Sequence, residues 1–350
     1  FVESACMNNR FGNHFASLVD EISTRYKIGK RFAAAYLKRW EDPYSLPNGT
    51  QLHRLKDIHA LPEPFPMWFD YAMTANQRGA AMADMLLPHA AKNARRYLDV
   101  GCGLGGFLVA FAQRRFDVRG FDLDNERVQL ARLNLQDFGA SSENAVYGDL
   151  LDDAFVAGLG RFDIITMIDV IEHVLNVPKA LETLLTLLNP GGILLMEIPN
   201  PFSLSAIAQD GHFNLFGITL LNRPDAMSYH RLYFDFAYDV GDYYPLDFYQ
   251  QWFQTHGCTS QLLFSGKRPL PPESALQPAI QSMLTQWGAY LSEHAAKLPA
   301  DLNQRLMENV HGYFDGMLRE RAALTNNTTM WNAFAQKYLL DFGVLLVRRT

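Results

Sequence analysis

The sequence predicts an α/β fold with a doubly wound, mostly parallel sheet. Three observations predict it. Between residues 96 and 200, short apolar runs alternate with helical runs, the rhythm of successive strand–helix–strand units. The strand candidates, Phe162–Ile168 and Ile193–Ile198 above all, are nearly continuous in apolar residues, as strands buried on both faces are. A glycine-rich turn, Gly101-Cys102-Gly103-Leu104-Gly105-Gly106, then joins the first strand to the first helix of this stretch.

Each element follows in order. Residues 1–95 read as a helical N-terminal section serving as a lid. Phe15–Tyr26 and Ile28–Trp40 carry apolar residues at three- and four-residue spacings, and Pro43, Pro47 and Asn48-Gly49 interrupt them. Leu61–Pro66, with three prolines, runs into Met67-Trp68-Phe69 and Tyr71 and reads as a stiff aromatic connector. A helix over Thr74–Leu87 stops at Pro88. The core spans 96–265. Its strands are Arg96–Val100, Val118–Leu123, Ala145–Tyr147, Phe162–Ile168 and Ile193–Ile198. Its helices are Gly106–Arg115, Glu126–Phe138 and Pro178–Leu188, and Asn189–Gly192 reads as a turn. Within the core, 201–245 is crowded with aromatics and histidines and reads as a lid over an acceptor. A helix over Pro245–His256 and a strand over Thr259–Phe264 follow. Residues 266–338 form a helical insertion, expected to pack the domain or a dimer partner, and 339–350 hold the last strand, Phe342–Val347.

Composition narrows the function. The chain has 350 residues, 48% of them hydrophobic, enough for an ample core. A formal charge of -6 argues against nucleic acid as a partner, since phosphates need basic surface. Cys6, Cys102 and Cys258 lie far apart, which excludes a CxxC zinc or redox motif and fits a reducing cytosol. No apolar stretch reaches the ~18 residues of a membrane span. No secretory signal is visible either, so a cytoplasmic location is expected.

Chemistry concentrates at the glycine turn. Gly101, Gly103 and Gly106 satisfy G-x-G-x-x-G, a weak dinucleotide signal taken alone. Asp99 lies two residues before the first glycine, where its charge would repel a pyrophosphate but suit a cationic ammonium. S-adenosylmethionine has that ammonium and a sulfonium, and no phosphate. Asp99 could instead only cap the turn. Asp122 ends the second strand 21 residues past Gly101, near the ~20 expected of an acid that binds ribose hydroxyls. Its rival Asp124 has an N-capping role open to it. Asp149 follows the third strand and either accepts from an adenine amino group or merely shapes a turn.

These segments, with Gly120-Phe-Asp122, Gly148-Asp149-Leu150, Phe162-Asp163-Ile-Ile165 and Asn189-Pro-Gly-Gly192, resemble the class I S-adenosylmethionine-dependent methyltransferases. Ile168-Asp169-Val-Ile171-Glu172-His173-Val174 is similar to the end of strand four in the branch that includes ubiquinone-biosynthesis O-methyltransferases. The resemblance covers about 96–200. It implies a Rossmann-like seven-stranded sheet with the last strand antiparallel. It further implies that Asp99, Gly101, Cys102, Gly103 and Gly105 hold the methionine moiety. Asp122 would hold the ribose, Leu123, Asp149 and Leu150 the adenine, and Asp169 would lie beside the methionine end.

The expected activity is methyl transfer to a small molecule at oxygen, leaving S-adenosylhomocysteine. A hydroxyl acceptor needs a base, so His212 or His230 is favoured as that base. Tyr229, Arg231 and His173 are the further catalytic candidates, and Arg231 or Arg223 could grip an acidic acceptor. Each histidine could equally be a satisfied residue of an aromatic lid. Methylation at sulfur of a small sulfur-containing acid is the alternative. A nicotinamide oxidoreductase and a non-catalytic S-adenosylmethionine-binding protein are the alternatives from other classes. No metal site is expected: Asp169, Glu172 and His173 offer ligands, but a metal needs convergent geometry as well.

Overall fold

The computed structural model describes residues 10–42, 45–46, 49–264, 269–324 and 328–350. Cys6, Pro43, Pro47 and Asn48 lie outside the described residues. In chain order the strands are β1 Arg96–Val100, β2 Asp117–Asp122, β3 Ala145–Tyr147, β4 Phe162–Ile168, β5 Leu188–Pro199, β6 Cys258–Leu262 and β7 Phe342–Arg349. They form one seven-stranded sheet in the order β3-β2-β1-β4-β5-β7-β6. β1 pairs in parallel with β2, and β2 with β3, whereas β7 runs antiparallel to β6. The doubly wound, mostly parallel sheet with an antiparallel last strand is therefore present.

The helices are α1 Phe15–Tyr26, α2 Lys30–Lys38, α3 Leu55–His59, α4 Phe65–Met73, α5 Ala75–Leu86, α6 Gly106–Gln113, α7 Asn125–Asp137, α8 Asp153–Ala157, α9 Val177–Leu187, α10 Leu204–Ala208, α11 Arg223–His230, α12 Leu246–Thr255, α13 Leu276–Glu293, α14 Ala300–Ala323 and α15 Thr328–Tyr338. None of the described helices is long and apolar enough to cross a membrane.

Two local expectations are corrected. The aromatic connector is helical over α4, because Pro66 falls in the first turn, where a missing N–H costs nothing. Phe69 and Met73 face inward there, while Met67, Trp68 and Tyr71 stay exposed. The segment Asn189–Gly192 is not a turn after the helix but the start of β5. Asn189 donates to the Asp163 carboxylate at 2.8 Å, and Gly192 lies too close to the Asp163 carbonyl for a side chain, so the segment is held along β4. The bend survives as Gly191, at φ 74°.

The chain divides into two compact units. The first comprises Phe1–Thr166 and Thr186–Ile193. In it, α1, α2 and α4 share an apolar core with Leu130 of α7; Leu18, Ile22, Phe32, Leu37 and Phe69 are fully enclosed. Helices α5 and α6 cross with Gly79 against Gly106: a Cβ on Gly79 would stand 2.4 Å from the Gly106 carbonyl oxygen. The second unit comprises Met167–Leu185 and Leu194–Thr350. Its main cluster joins the aromatic segment 204–240 to α13, α14 and α15, with Met283, Leu306 and Val310 fully buried.

Candidate functional site

In the first unit the glycine turn is fastened to β2. The N–H groups of Gly101 and Cys102 both donate to the Phe121 carbonyl at 2.9 Å. Asp122 Oδ2 accepts from Gly103 N–H at 2.8 Å and its Oδ1 from Asp124 N–H at 2.9 Å. Asp124 in turn caps α7, accepting from Glu126 and Arg127. Gly103 takes φ +49°, and a Cβ there would meet no atom within 4 Å, so the turn presents an open face.

Asp99 is 3% exposed at the end of β1. Its Oδ1 accepts from the Thr166 hydroxyl at 2.7 Å, which accepts in turn from Tyr97 at 2.5 Å. Burial pushes its carboxyl up to about 7; the Thr166 bond opposes this, and the neighbouring Asp122 charge adds to it. Asp149 Oδ1 accepts from Leu151 N–H at 2.8 Å, so it does shape its turn. Leu150 is buried, Leu123 is 61% exposed, and Cys102 is buried with its thiol pKa raised by burial.

One residue of this cradle was missed. Asn134 of α7 is fully buried, donates to the Leu104 carbonyl at 2.9 Å, and exchanges amide bonds with Asn76 of α5. It ties the glycine turn to the N-terminal section. The available signal was a lone amide among the apolar Leu130, Ala131 and Leu135 of one helix face.

The second unit brings together Glu172, His173 and His212, whose ligand atoms all lie within 4.8 Å of one another. Asp169, at φ 54°, precedes them. His173 Nδ1 donates to the Asp239 carbonyl at 3.0 Å. The backbone under the pair is fixed by Gly241, whose N–H donates to the Glu172 carbonyl at 2.6 Å and which has no room for a side chain against Val174. Asp210, 1% exposed, accepts from the N–H groups of His212, Phe213 and Leu215, and so sets the path of the His212 backbone. The Tyr243 hydroxyl lies 3.4 Å from His212 Nδ1. Burial pushes the Glu172 carboxyl up to about 8; a bond from its own backbone opposes this, and Asp169 and Glu197 add to it. Burial also lowers the His212 imidazole, with His173 contributing.

The other catalytic candidates are not in this cluster. Tyr229 is buried in the apolar core of the unit, and Arg231 is exposed. His230 is fully buried among Phe213, Phe234, Phe236 and Tyr238, with no partner on either ring nitrogen. Arg223 donates to the Val240 carbonyl at 3.2 Å.

The first unit's donor set is made of strand-end carboxylates around an open glycine face. That is the make-up of a cradle for a cofactor bearing an ammonium and a ribose diol, and S-adenosylmethionine fits it. The sheet and cradle define a Rossmann-like nucleoside-cofactor protein. Residues 74–262, more than half of the chain, match the family described as methyltransferase domain, and the chain belongs to that family. It is of the class I, S-adenosylmethionine-dependent kind.

The ubiquinone biosynthesis O-methyltransferase of Bordetella avium is 28% identical over 45% of this chain and 55% of its own length. That of Xanthomonas euvesicatoria is 28% identical over 51% and 64%. The chain thus spans little more than half of these relatives. A SAM-bound amino pentose methyltransferase from Micromonospora echinaspora superposes with a TM-score of 0.38 at 18% identity, over 59% of this chain and 93% of that one.

Proposed function

We propose that the chain transfers a methyl group from S-adenosylmethionine to a hydroxyl oxygen of a small molecule. The observation that carries this reading is the convergence of Glu172, His173 and His212 within 4.8 Å. A hydroxyl acceptor must lose a proton as it is methylated, and such a cluster can receive that proton or hold the oxygen's charge. A thioether acceptor loses no proton and would leave the cluster without a task. An acidic acceptor would also want a free cation, and Arg223 is engaged by the Val240 carbonyl. The relatives named for ubiquinone biosynthesis, O-methyltransferases by name, support the same reading.

When bound, the cofactor would supply an electrophilic sulfonium methyl for an acceptor oxygen, with S-adenosylhomocysteine as the leaving group. The chain's own residues position the partners. Asp99 would hold the ammonium, and the turn Gly101, Cys102, Gly103 and Gly105 would let the backbone approach the cofactor. Asp122 would accept from the ribose and Asp149 from the adenine amino group beside Leu123 and Leu150, and the family resemblance would assign Asp169 to the methionine end. His212 and His173 would handle the acceptor proton, with the Phe213 ring and the Tyr243 hydroxyl beside His212.

The test is an assay of S-adenosylhomocysteine release with phenols and with thioether acids as acceptors. Turnover with phenols and none with thioether acids is expected. The reverse would overturn the oxygen assignment.

A further inference from the structure

We propose that the paired amides of Asn76 and Asn134 are positioning residues: through them the N-terminal helical section holds the glycine turn in the shape that binds the cofactor. Neither side chain belongs to the donor set assigned to the cofactor, and every group in the argument lies in the first unit.

Toward β2 the turn is fastened by the Phe121 carbonyl and the Asp122 carboxylate. Its other side depends on Asn134. Gly103 and Gly105 take φ 49° and 75°, and Asn134 Nδ2 donates to the Leu104 carbonyl between them at 2.9 Å. The same Nδ2 donates to Asn76 Oδ1 at 2.8 Å, and Asn134 Oδ1 accepts from Asn76 Nδ2 at 3.0 Å. Both hydrogens of the Asn134 amide are thereby used. Its orientation is fixed as well, because the Leu104 carbonyl can only accept. Asn134 is fully buried, so a partner lost here leaves the others unsatisfied.

Helix α5 carries Asn76 into this contact. It lies against the turn with no side chain between, since Gly79 faces the Gly106 carbonyl and Gly106 has no room beside Ala75. On the α7 side, a Cβ on Gly105 would stand 2.9 Å from the Cβ of Ala131, which precedes Asn134 by one helical turn. The turn is gripped between α5 and α7, with the Gly103 face left open. Helix α7 is tied in turn to α2: Asp137 accepts from Phe32 N–H at 2.9 Å in space that Gly29 leaves, and Arg39 pairs with Glu126 at 2.6 Å. The Leu104 side chain packs on the apolar core of α1, α2 and α4. A turn released from this grip binds only in the fraction of molecules that still hold its shape, and the apparent dissociation constant rises by the inverse of that fraction.

The inference rests on the assignment of the turn to the cofactor. It is indifferent to which acceptor atom is methylated.

The experiment titrates S-adenosylhomocysteine into the whole 350-residue chain by calorimetry, with thermal unfolding measured alongside. Asn134→Ala should weaken binding by about 10-fold or more, with stoichiometry still near one per chain. Asn76→Ala leaves the Asn134–Leu104 bond in place and should weaken binding by a smaller factor, about 3- to 10-fold. The double variant should bind no worse than Asn134→Ala, because both changes act through one contact to the turn. Asn309→Ala, which removes an amide bond to the Leu220 carbonyl in the second unit, should keep parental affinity. A merely structural pair would lower the unfolding temperature and leave the dissociation constant parental. That result, or additive losses in the double variant, would overturn the proposal. If Asn134→Ala does not fold, the affinity of Asn76→Ala decides. Parental binding in the folded amide variants beside a loss in Asp122→Ala would sink this inference alone. A parent that binds no S-adenosylhomocysteine would sink the cofactor assignment with it.

Discussion

The candidate carboxylates of the two units are held differently. In the first, every strand-end carboxylate is spoken for. Asp99 accepts from Thr166, Asp122 from Gly103 and Asp124, Asp149 from Leu151, and Asp163 from Arg95, Arg96 and Asn189. In the second, Glu172 Oε2 and both nitrogens of His230 are buried with no partner. Leaving such an atom unpaired costs about 1–3 kcal/mol. The carboxylates around the first unit's glycine turn are therefore fixed in place before any ligand arrives. The second leaves Glu172 Oε2 unpaired beside His173 and His212, and seals His230 among aromatic rings.

If that contrast holds, changes in the second unit should alter chemistry and changes in the first should alter cofactor affinity. The largest effect is expected for His212→Ala. Turnover should fall by roughly 10²–10⁴-fold while cofactor affinity by calorimetry stays parental. Equal losses in both would erase the distinction between the units.

Next comes Gly103→Val. The turn requires φ +49°, and the open face above Gly103 is where a side chain would meet the ligand. Binding should become unmeasurable, whereas the ligand-free protein should lose only about 1–2 kcal/mol to backbone strain. Retained binding would reduce the glycine run to a packing turn.

Asp122→Ala should weaken cofactor binding by roughly 10- to 100-fold, the worth of charge-assisted bonds at about 1.5–3 kcal/mol. An unchanged dissociation constant in a folded variant would sink the ribose assignment.

The smallest effect is a pH dependence. The Asp99 carboxyl sits at about 7 in the ligand-free protein, above its ordinary value of 3.8. A raised carboxyl pKa means the folded state holds a proton that the unfolded state has released. Asp99 therefore withdraws stability as pH rises from about 4 to about 7. A cationic ammonium needs the ionised form, so cofactor affinity should fall below pH 7, by at most tenfold per unit. Binding near pH 6 should release protons, seen as a buffer-dependent calorimetric heat. Asp99→Asn should abolish both signals, and a pH-independent parent would remove Asp99 from the ammonium.

Much of the cradle was legible because it is local. Asp99, Gly101, Gly103, Asp122 and Asp149 all fall within about fifty residues, and each sits at a strand end that alternating apolar runs mark out. Asp124 caps α7 through bonds that reach only two or three residues, and Asp149 Oδ1 is tied to Leu151 N–H in the same local way. Asn200, just before the aromatic segment, and Asp210 within it are polar residues whose roles no local pattern assigns. Asn200 binds the carbonyls of Gln336, Lys337 and Leu340, more than a hundred residues away, and Asp210 shapes its own loop.

By itself the sequence determined the strand–helix alternation, the glycine turn and the family, because periodicity, caps and positive-φ glycines act over a few residues. Only the tertiary structure decided that His212 meets Glu172 and His173 while His230 is sealed among aromatic rings. Those outcomes depend on the path of 201–241, fixed by Asp210, by Gly241 against Glu172 and Val174, and by an apolar core shared with α13 to α15. Side-chain convergence is a property of packing, and packing couples residues that sequence spacing leaves independent.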